Sequence, residues 1–353
     1  MHVLISPDKF KGSLSASQVC EALEKGIKKR RPKTIFTQMP LADGGEGTLE
    51  VIQQLHGGTW ITVDTFDPLM RPIQADYLYL ADQKTAYIEM ARASGLALLN
   101  AKERNPLKTS TFGTGILIAD ALHRGASQII LTIGGSATND AGIGMAAALC
   151  WKFLDAKGLE LAPTGENLIQ IASITSVDLA PCAFTVVTDV ANPLAGPSGA
   201  AHVFAAQKGA NATAIKQLDK GLINIASFFA SIANEAGAGA AGGLGAGARY
   251  FLQAKIVPGA SWLMDKIHFN RALLKADFII TGEGKIDYST WGGKVVSEVV
   301  KRSDKVLKQT ILVSGAFETS TKFPIFLDEN DVFTISSRAK DPKDSIHRAA
   351  ELL

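Results

Sequence analysis

The sequence predicts an α/β protein, and three observations predict it. Short apolar runs of strand length alternate with amphipathic helical patterns along the whole chain, glycine-rich turns follow several of those runs, and no repeat of solenoid or propeller length recurs. Strands are predicted at 2–6, 34–39, 60–64, 75–80, 85–89, 128–133, 184–188, 201–205, 277–281, 310–314 and 331–335. Helices are predicted at 15–30, 46–55, 112–124, 142–151, 213–234, 293–302 and 343–352. Alternation of this kind favours mostly parallel sheets covered by helices.

The individual elements follow from local patterns. His2 to Ile5 is a strand that runs into Ser6-Pro7-Asp8-Lys9-Phe10-Lys11-Gly12-Ser13-Leu14-Ser15, and a helix follows with Val19, Leu23 and Ile27 on one face. Ser13 or Ser15 supplies its N-cap. The basic run Lys28-Lys29-Arg30-Arg31 falls at that helix's C-terminus, where cations complement the dipole. Ile35 to Leu41 leads into Asp43-Gly44-Gly45-Glu46-Gly47-Thr48 and a helix carrying Leu49, Ile52 and Leu55. The runs 75–80 and 85–89 are joined by Ala81-Asp82-Gln83-Lys84, which reads as a hairpin and so as an antiparallel element. Gln128 to Ile133 precedes the turn Gly134-Gly135-Ser136-Ala137-Thr138-Asn139-Asp140-Ala141-Gly142 and a helical stretch from Met145 to Trp151. The stretch Ala236 to Ala248 holds only Ala, Gly and Leu, too short for a membrane span and poor in helix propensity.

The terminal strand–loop–helix units are alike in style, whereas the central glycine turn belongs to its own series. We therefore expect two α/β lobes: a discontinuous Rossmann-like lobe from 1–60 and 260–353, and an inserted lobe from 61–259, with the active site in the cleft between them.

Composition narrows the function classes. With 353 residues, 46% of them hydrophobic and 20% charged, the chain can bury a large core, and a formal net charge of +2 gives no case for nucleic acid. The start carries no signal-peptide pattern, so a cytoplasmic location without membrane contact is expected. Cys20, Cys150 and Cys182 are too scattered for a redox pair and read as reduced core residues; the six histidines form no zinc-ligand spacing.

The turns carry the chemistry. Glycines after a strand let an anion approach backbone N–H groups and the positive end of the next helix, so Gly134 to Ser136 reads as a phosphate or carboxylate site. It is neither a P-loop nor a Rossmann fingerprint. Lys9 and Lys11 suit a multiply charged phosphate or a carboxylate, and Asp8 at a strand end suits a metal or a hydroxyl. Asp189 follows Phe184-Thr185-Val186-Val187 and precedes Asn192-Pro193, a place for a base or a magnesium ligand. Glu283 and Asp287 flank the glycine turn after Asp277 to Thr281, where they can hold magnesium directly or through water. A rival hydrolase triad of Ser136, Asp189 and His202 has the right order, but β-branched Thr138 stands where the elbow needs its last glycine. A non-catalytic metabolite sensor would need the anion loops and not the acids.

Six motifs, in order along nearly the whole chain, resemble the bacterial glycerate kinases of the glyoxylate- and galactarate-pathway type. They are Ser6 to Ser15, Asp43 to Thr48, Gly134 to Gly142, Thr188-Asp189-Val190-Ala191-Asn192-Pro193-Leu194, Ala240-Ala241-Gly242-Gly243-Leu244-Gly245, and Gly282-Glu283-Gly284-Lys285-Ile286-Asp287. The resemblance implies ATP-dependent phosphorylation of D-glycerate with Mg²⁺ carried by the nucleotide, usually giving 2-phosphoglycerate. Residues and resemblance together assign Asp189, Asp8 and Lys9 to catalysis. Lys11, Ser13, Asp43, Gly44, Gly45, Glu46 and Asn192 are assigned to the substrate. Gly134, Gly135, Ser136, Asn139, Asp140, Gly242, Gly243, Gly282 and Lys285 are assigned to nucleotide and phosphate, and Glu283 and Asp287 to metal. Another small hydroxy acid, or a 3-phosphoglycerate product, is the alternative; an extra cation such as Arg71, Arg92 or Arg249 at the site would favour a diacid. The expected assembly is a monomer or homodimer with small-molecule partners only. One departure stands out: Ser289 occupies the place where the family has Gln, and its shorter hydroxyl would turn a direct contact into a water-mediated one.

Overall fold

The structure, a computed structural model, describes residues 1–318, 327 and 331–353, with the backbone alone at Ser289. The expectation about the Ser289 side chain therefore lies outside the described residues. The chain forms two compact units, one of Met1–Asp43 with Pro258–Leu353 and one of Gly44–Val257. The sequence expectation set its first boundary near residue 60; the helix Thr48–His56 lies within the second unit.

Among the described residues the first unit is built on five parallel strands in the spatial order Val332–Thr334, Gln309–Phe317, Phe278–Ile286, His2–Ile5, Ile35–Gln38. Counted in chain order within the unit, this is the doubly wound order 2-1-3-4-5. Its switch point falls between His2–Ile5 and Phe278–Ile286, which pair in register from Val3↔Phe278 to Ile5↔Ile280. Both faces are covered, and the two-residue strand period shows it: Val313 joins Val3, Ile5, Val19 and Leu23 in one core, while its neighbour Leu312 joins Val296 and Val300 in the other. The helix Ala16–Arg30 starts on a full capping box, in which the Ser15 hydroxyl accepts from Gln18 N and the Gln18 side chain accepts from Ser15 N.

The second unit carries a six-stranded sheet in the order Lys255–Val257, Ala183–Val187, Gln128–Thr132, Thr85–Glu89, Pro72–Leu80, Thr59–Phe66. The first four strands are parallel to one another, and the last three form an antiparallel meander that includes the anticipated hairpin. Ile129 and Leu131 point into a core shared with Leu117 and Ile118, Met145, and Leu218, Leu222 and Ile225. No helix among the described residues is long and apolar enough to cross a membrane.

Several elements differ from the sequence expectations. Residues 201–205, expected as a strand, form the helix Ala200–Phe204, because the alanines that follow Gly199 propagate a helix and the segment has no strand neighbour. The glycine-rich stretch forms the helix Ala240–Phe251 against its propensity, with Ala241, Gly242 and Gly243 in left-handed backbone at its start. Packing overrides propensity there: a Cβ at Gly245 would sit 2.1 Å from the Gly237 carbonyl oxygen, and one at Gly247 would sit 2.2 Å from that of Ala141. The expected helix 213–234 ends at Phe229, the C-terminal helix divides into Pro342–His347 and Ala349–Leu352, and helices at Gly259–Lys266 and Phe269–Lys275 were not anticipated. Cys20 is buried as expected, but Cys150 is exposed on a positive-φ turn.

Candidate functional site

The first unit gathers acids at its switch point. The chain leaving His2–Ile5 stays zipped to the neighbouring strand, with Ser6 N donating to the Ile280 carbonyl at 2.8 Å and Asp8 N to that of Gly282 at 2.8 Å. On the other side Leu41 N donates to the Pro7 carbonyl at 2.9 Å, which brings the segment ending in Asp43 alongside. Gly282 is required by crowding, since a Cβ there would lie 1.8 Å from the Val313 carbonyl oxygen. Asp8, Asp43 and Glu283 therefore sit within one another's fields. Burial, then the charge of Asp43, and more weakly that of Glu283, push the Asp8 carboxyl up to about 8, opposed by the Lys9 N–H and ammonium. Burial also raises Glu283, against a hydrogen bond from Thr290 and the charge of Lys294. The Glu283 Oε1 atom is buried without a partner among the described residues.

Other predicted residues of this unit are engaged elsewhere. Lys285 pairs with Glu318 at 2.9 Å and with Asp287 at 3.4 Å. Asp287 thus has a cation of its own, which weakens its assignment to a metal, and exposed Lys285 is a surface ion-pair partner. The Ser13 hydroxyl donates to the Ile346 carbonyl, while Lys11 is exposed on the loop that Gly284 approaches, a Cβ there meeting Lys11 N at 3.1 Å.

In the second unit the carboxyl ends of the parallel strands carry Glu89, the turn from Gly134, and Asp189. Two glycine turns pack on each other: Gly134 N donates to the Gly44 carbonyl, and a Cβ at Gly134 would lie 2.7 Å from Gly45 Cα. Glu46 is exposed on that turn, its Oε1 lying 3.4 Å from where a Gly135 Cβ would stand. The turn's next helix is only Ile143–Ala148, and its free amides are already taken. Asp140 accepts from Gly142 N and Gly144 N at 3.2 Å each, and from the Thr111 amide and hydroxyl at 2.7 Å each. The anion expected at this helix start is thus the chain's own carboxylate, and Asp140 shapes the turn instead of receiving phosphate. Burial raises Asp140, and those four bonds oppose the rise. Gly242 and Gly243 likewise support the turn from below: a Cβ at Gly242 would lie 2.1 Å from the Thr138 carbonyl oxygen, and one at Gly243 would lie 2.9 Å from Ala141 Cα. The Asn192 amide donates to the Ser198 carbonyl at 2.8 Å.

Two features escaped the sequence reading. Buried Glu89 accepts from Leu49 N and from Arg92, whose guanidinium also pairs with Glu50 and lies over the Trp60 ring at 4.7 Å; this network fixes the helix that follows Glu46. Lys208 is buried and donates to the Ser136 hydroxyl at 2.7 Å and the Thr138 carbonyl at 2.6 Å. Lys208 has no local motif and becomes visible only through contacts remote in sequence, while the Glu89–Arg92 pair is local and gains its meaning from Leu49 and Glu50 some 40 residues away. Arg71, Arg92 and Arg249 all have carboxylate partners, in Asp67 and Glu103, Glu89 and Glu50, and Glu235. His202 faces Asp219 at 3.5 Å while Ser136 faces Lys208, so the hydrolase triad is not assembled.

Parallel strands with half-buried acids at the ends of one sheet and a buried lysine under a glycine turn at the ends of the other mark an α/β protein with polar groups gathered where its strands end. Comparison with known proteins narrows the class. The sequence model of the glycerate kinase family matches residues 3–353. A glycerate kinase of Halalkalibacterium halodurans is 42% identical over 323 residues, 89% of this chain and 85% of that protein. Glycerate 2-kinase of Escherichia coli is 40% identical over 329 residues, 90% of this chain and 85% of that one. A solved structure described as a glycerate kinase 2 from Salmonella typhimurium superposes with a TM-score of 0.81 at 38% identity, covering 99% of this chain and 95% of that one. The chain belongs to the glycerate kinase family and is a kinase.

Proposed function

We propose that this kinase transfers the γ-phosphoryl group of ATP to the 2-hydroxyl of D-glycerate, giving 2-phosphoglycerate and ADP. Phosphoryl transfer asks the protein for positioning, charge neutralisation and an acceptor for the alcohol proton. The observation that carries the reading is the acid group at the switch point of the first unit, where ligands of doubly wound sheets bind. Asp8, with its carboxyl pushed up to about 8, titrates close to neutral pH, so its ionised fraction is the form that takes a proton from an alcohol. Lys9 and Lys11 on the same loop suit the substrate carboxylate or the moving phosphoryl group. Asp189, at a strand end in the second unit, is the second candidate base. Having Arg71, Arg92 and Arg249 in ion pairs supports a monocarboxylate over a diacid.

Magnesium fits one part of this set. Among the described residues no three His, Cys, Asp or Glu side chains converge as a metal cage. Mg²⁺ needs no such cage, since it keeps several waters and takes one or two carboxylates beside nucleotide phosphates. The unpartnered Glu283 Oε1 is a donor of that kind, with Asp8 and Asp43 close by. When bound, the ion would neutralise charge on the phosphates. We further propose a cytoplasmic monomer or homodimer with small-molecule partners alone.

The test is ATP consumption with D-glycerate, with Mg²⁺ present or chelated, and product identification by phosphorus NMR. Metal-dependent 2-phosphoglycerate is expected. A 3-phosphoglycerate product would overturn the regiochemistry, and absence of turnover with intact D-glycerate binding would move the reading to a sensor.

A further inference from the structure

Lys208 raises a question that the proposed chemistry leaves unanswered: what a buried ammonium does beneath the Gly134–Asn139 turn. Fully buried lysines are rare unless paired, because an ammonium removed from water needs a counter-charge. Lys208 has two neutral acceptors, Ser136 and Thr138, and makes no ion pair among the described residues. The acid whose field reaches it, Asp140, already accepts four hydrogen bonds. Burial accordingly depresses the ammonium to about 7, with Asp140 opposing. An ammonium has three donors, and two are used here.

The same turn carries a second unsatisfied group. Asn139 is fully buried, and among the described residues neither its amide nitrogen nor its amide oxygen has a partner; the Thr138 hydroxyl, also buried, has none there either. Unmet polar atoms at this density are unusual in a native interior and call for a partner, either water or a ligand. Arg104 lies nearby in the fold, since its backbone oxygen would stand 2.2 Å from a Cβ on Gly209, the residue after Lys208, and its buried Nε also lacks a partner among the described residues. The helix after the turn is not the source of attraction, because Asp140 already occupies its first amides.

We infer that Lys208, Thr138 and Asn139 form an oxyanion seat in the second unit, in which the lysine supplies the charge and the asparagine amide and threonine hydroxyl complete the hydrogen bonds. The inference rests on the kinase reading for its two sources of oxyanion: a phosphate of the nucleotide and the carboxylate of the hydroxy acid. Both present the same chemistry to the seat, and experiment separates them.

Two variants test it. Lys208→Met keeps the length of the side chain and removes the charge. Asn139→Ala removes an amide that makes no hydrogen bond among the described residues, and with folding checked by thermal melt it keeps the test valid even where Lys208→Met fails to fold. Binding of ADP and of D-glycerate is measured separately by calorimetry, with kcat and KM for each substrate. Each variant is expected to weaken one ligand roughly 10- to 100-fold and leave the other near wild type. Loss of ADP assigns the seat to phosphate, and loss of D-glycerate assigns it to carboxylate. Unchanged affinity for both ligands in folded Asn139→Ala would overturn the seat. Should the wild-type enzyme fail to act on D-glycerate, the substrate reading falls while the seat stays testable. Inorganic pyrophosphate should then raise the melting temperature of the wild type and not of Asn139→Ala, and an equal shift in both would overturn it.

Discussion

The two units solve the same structural problem with opposite charge. Each gathers its polar residues where parallel strands end, as open α/β sheets do. The first collects Asp8, Asp43 and Glu283, and the second places Lys208 under a glycine turn. Burial pushes Asp8 up and Lys208 down, so in each case the protein interior works toward neutrality. The comparison teaches that sign, more than fold, separates the chemistry the units can carry. Clustered acids suit a cation and an alcohol proton, while a buried lysine suits an oxyanion.

The strongest way to break this contrast is to remove the acid end. Asp8→Asn is expected to lower turnover by about 100-fold or more while leaving the melting temperature near wild type, since an amide resembles in shape the protonated carboxyl that burial and neighbouring acids favour there. Asp189→Asn is expected to fall by a similar factor if Asp189 shares the proton transfer. Near-normal turnover in folded Asp8→Asn alongside an inactive Asp189→Asn would move the base to the second unit. Steady-state kinetics with a thermal melt decides between them.

The next test asks whether the cationic turn is held by close backbone packing. Gly247→Ala forces a methyl to within 2.2 Å of the Ala141 carbonyl and should destabilise by roughly 1–3 kcal/mol. Gly125→Ala, with φ at +83° and nothing within 4 Å, should cost only about 1 kcal/mol through backbone strain. Equal midpoints in urea would show that the packing contributes nothing beyond φ.

A subtler signature lies in pH. Lys208 has its affinity for protons lowered from 10.5 to about 7, so between those values the unfolded chain binds more protons than the folded one. Stability should rise with pH across that window, by up to about 1.4 kcal/mol per unit from this group, and its contribution should level off below about 7. Lys208→Met should flatten that limb relative to wild type; identical profiles would mean that the ammonium finds compensation within the fold. The smallest effect expected is in the first unit, where Ser15→Ala should cost about 1 kcal/mol by opening the capping box.

The acid half of this contrast was legible in the sequence. The capping box at Ser15, the turns after His2–Ile5 and Gln128–Thr132, and the antiparallel hairpin all depend on residues close together in the chain, which local patterns report. Asp8, Asp43 and Glu283 were each picked as strand-end acids, although their mutual influence depends on a strand order set by tertiary pairing. Lys208 could not be found in this way. It lies in Ala-Gln-Lys-Gly without a motif, and its meaning comes from Ser136, 72 residues away. The helix Ala240–Phe251 was missed for the converse reason, because its glycines look like helix breakers until the backbones they admit are seen. Asp140 was read as a phosphate ligand because sequence shows an acid beside an anion turn without showing where its oxygens point.

Asp140 also bears on how quickly the turn can capture a ligand. A phosphate loop that orders only around its anion must search for its bound shape at each encounter. Here the carboxylate already fastens Thr111, Gly142 and Gly144, so the ordering entropy is met once, during folding. Capture by the proposed seat would then be the meeting of two preorganised surfaces, limited by diffusion and desolvation. Amide exchange at Gly142 and Gly144 should then be as slow without ligand as with it.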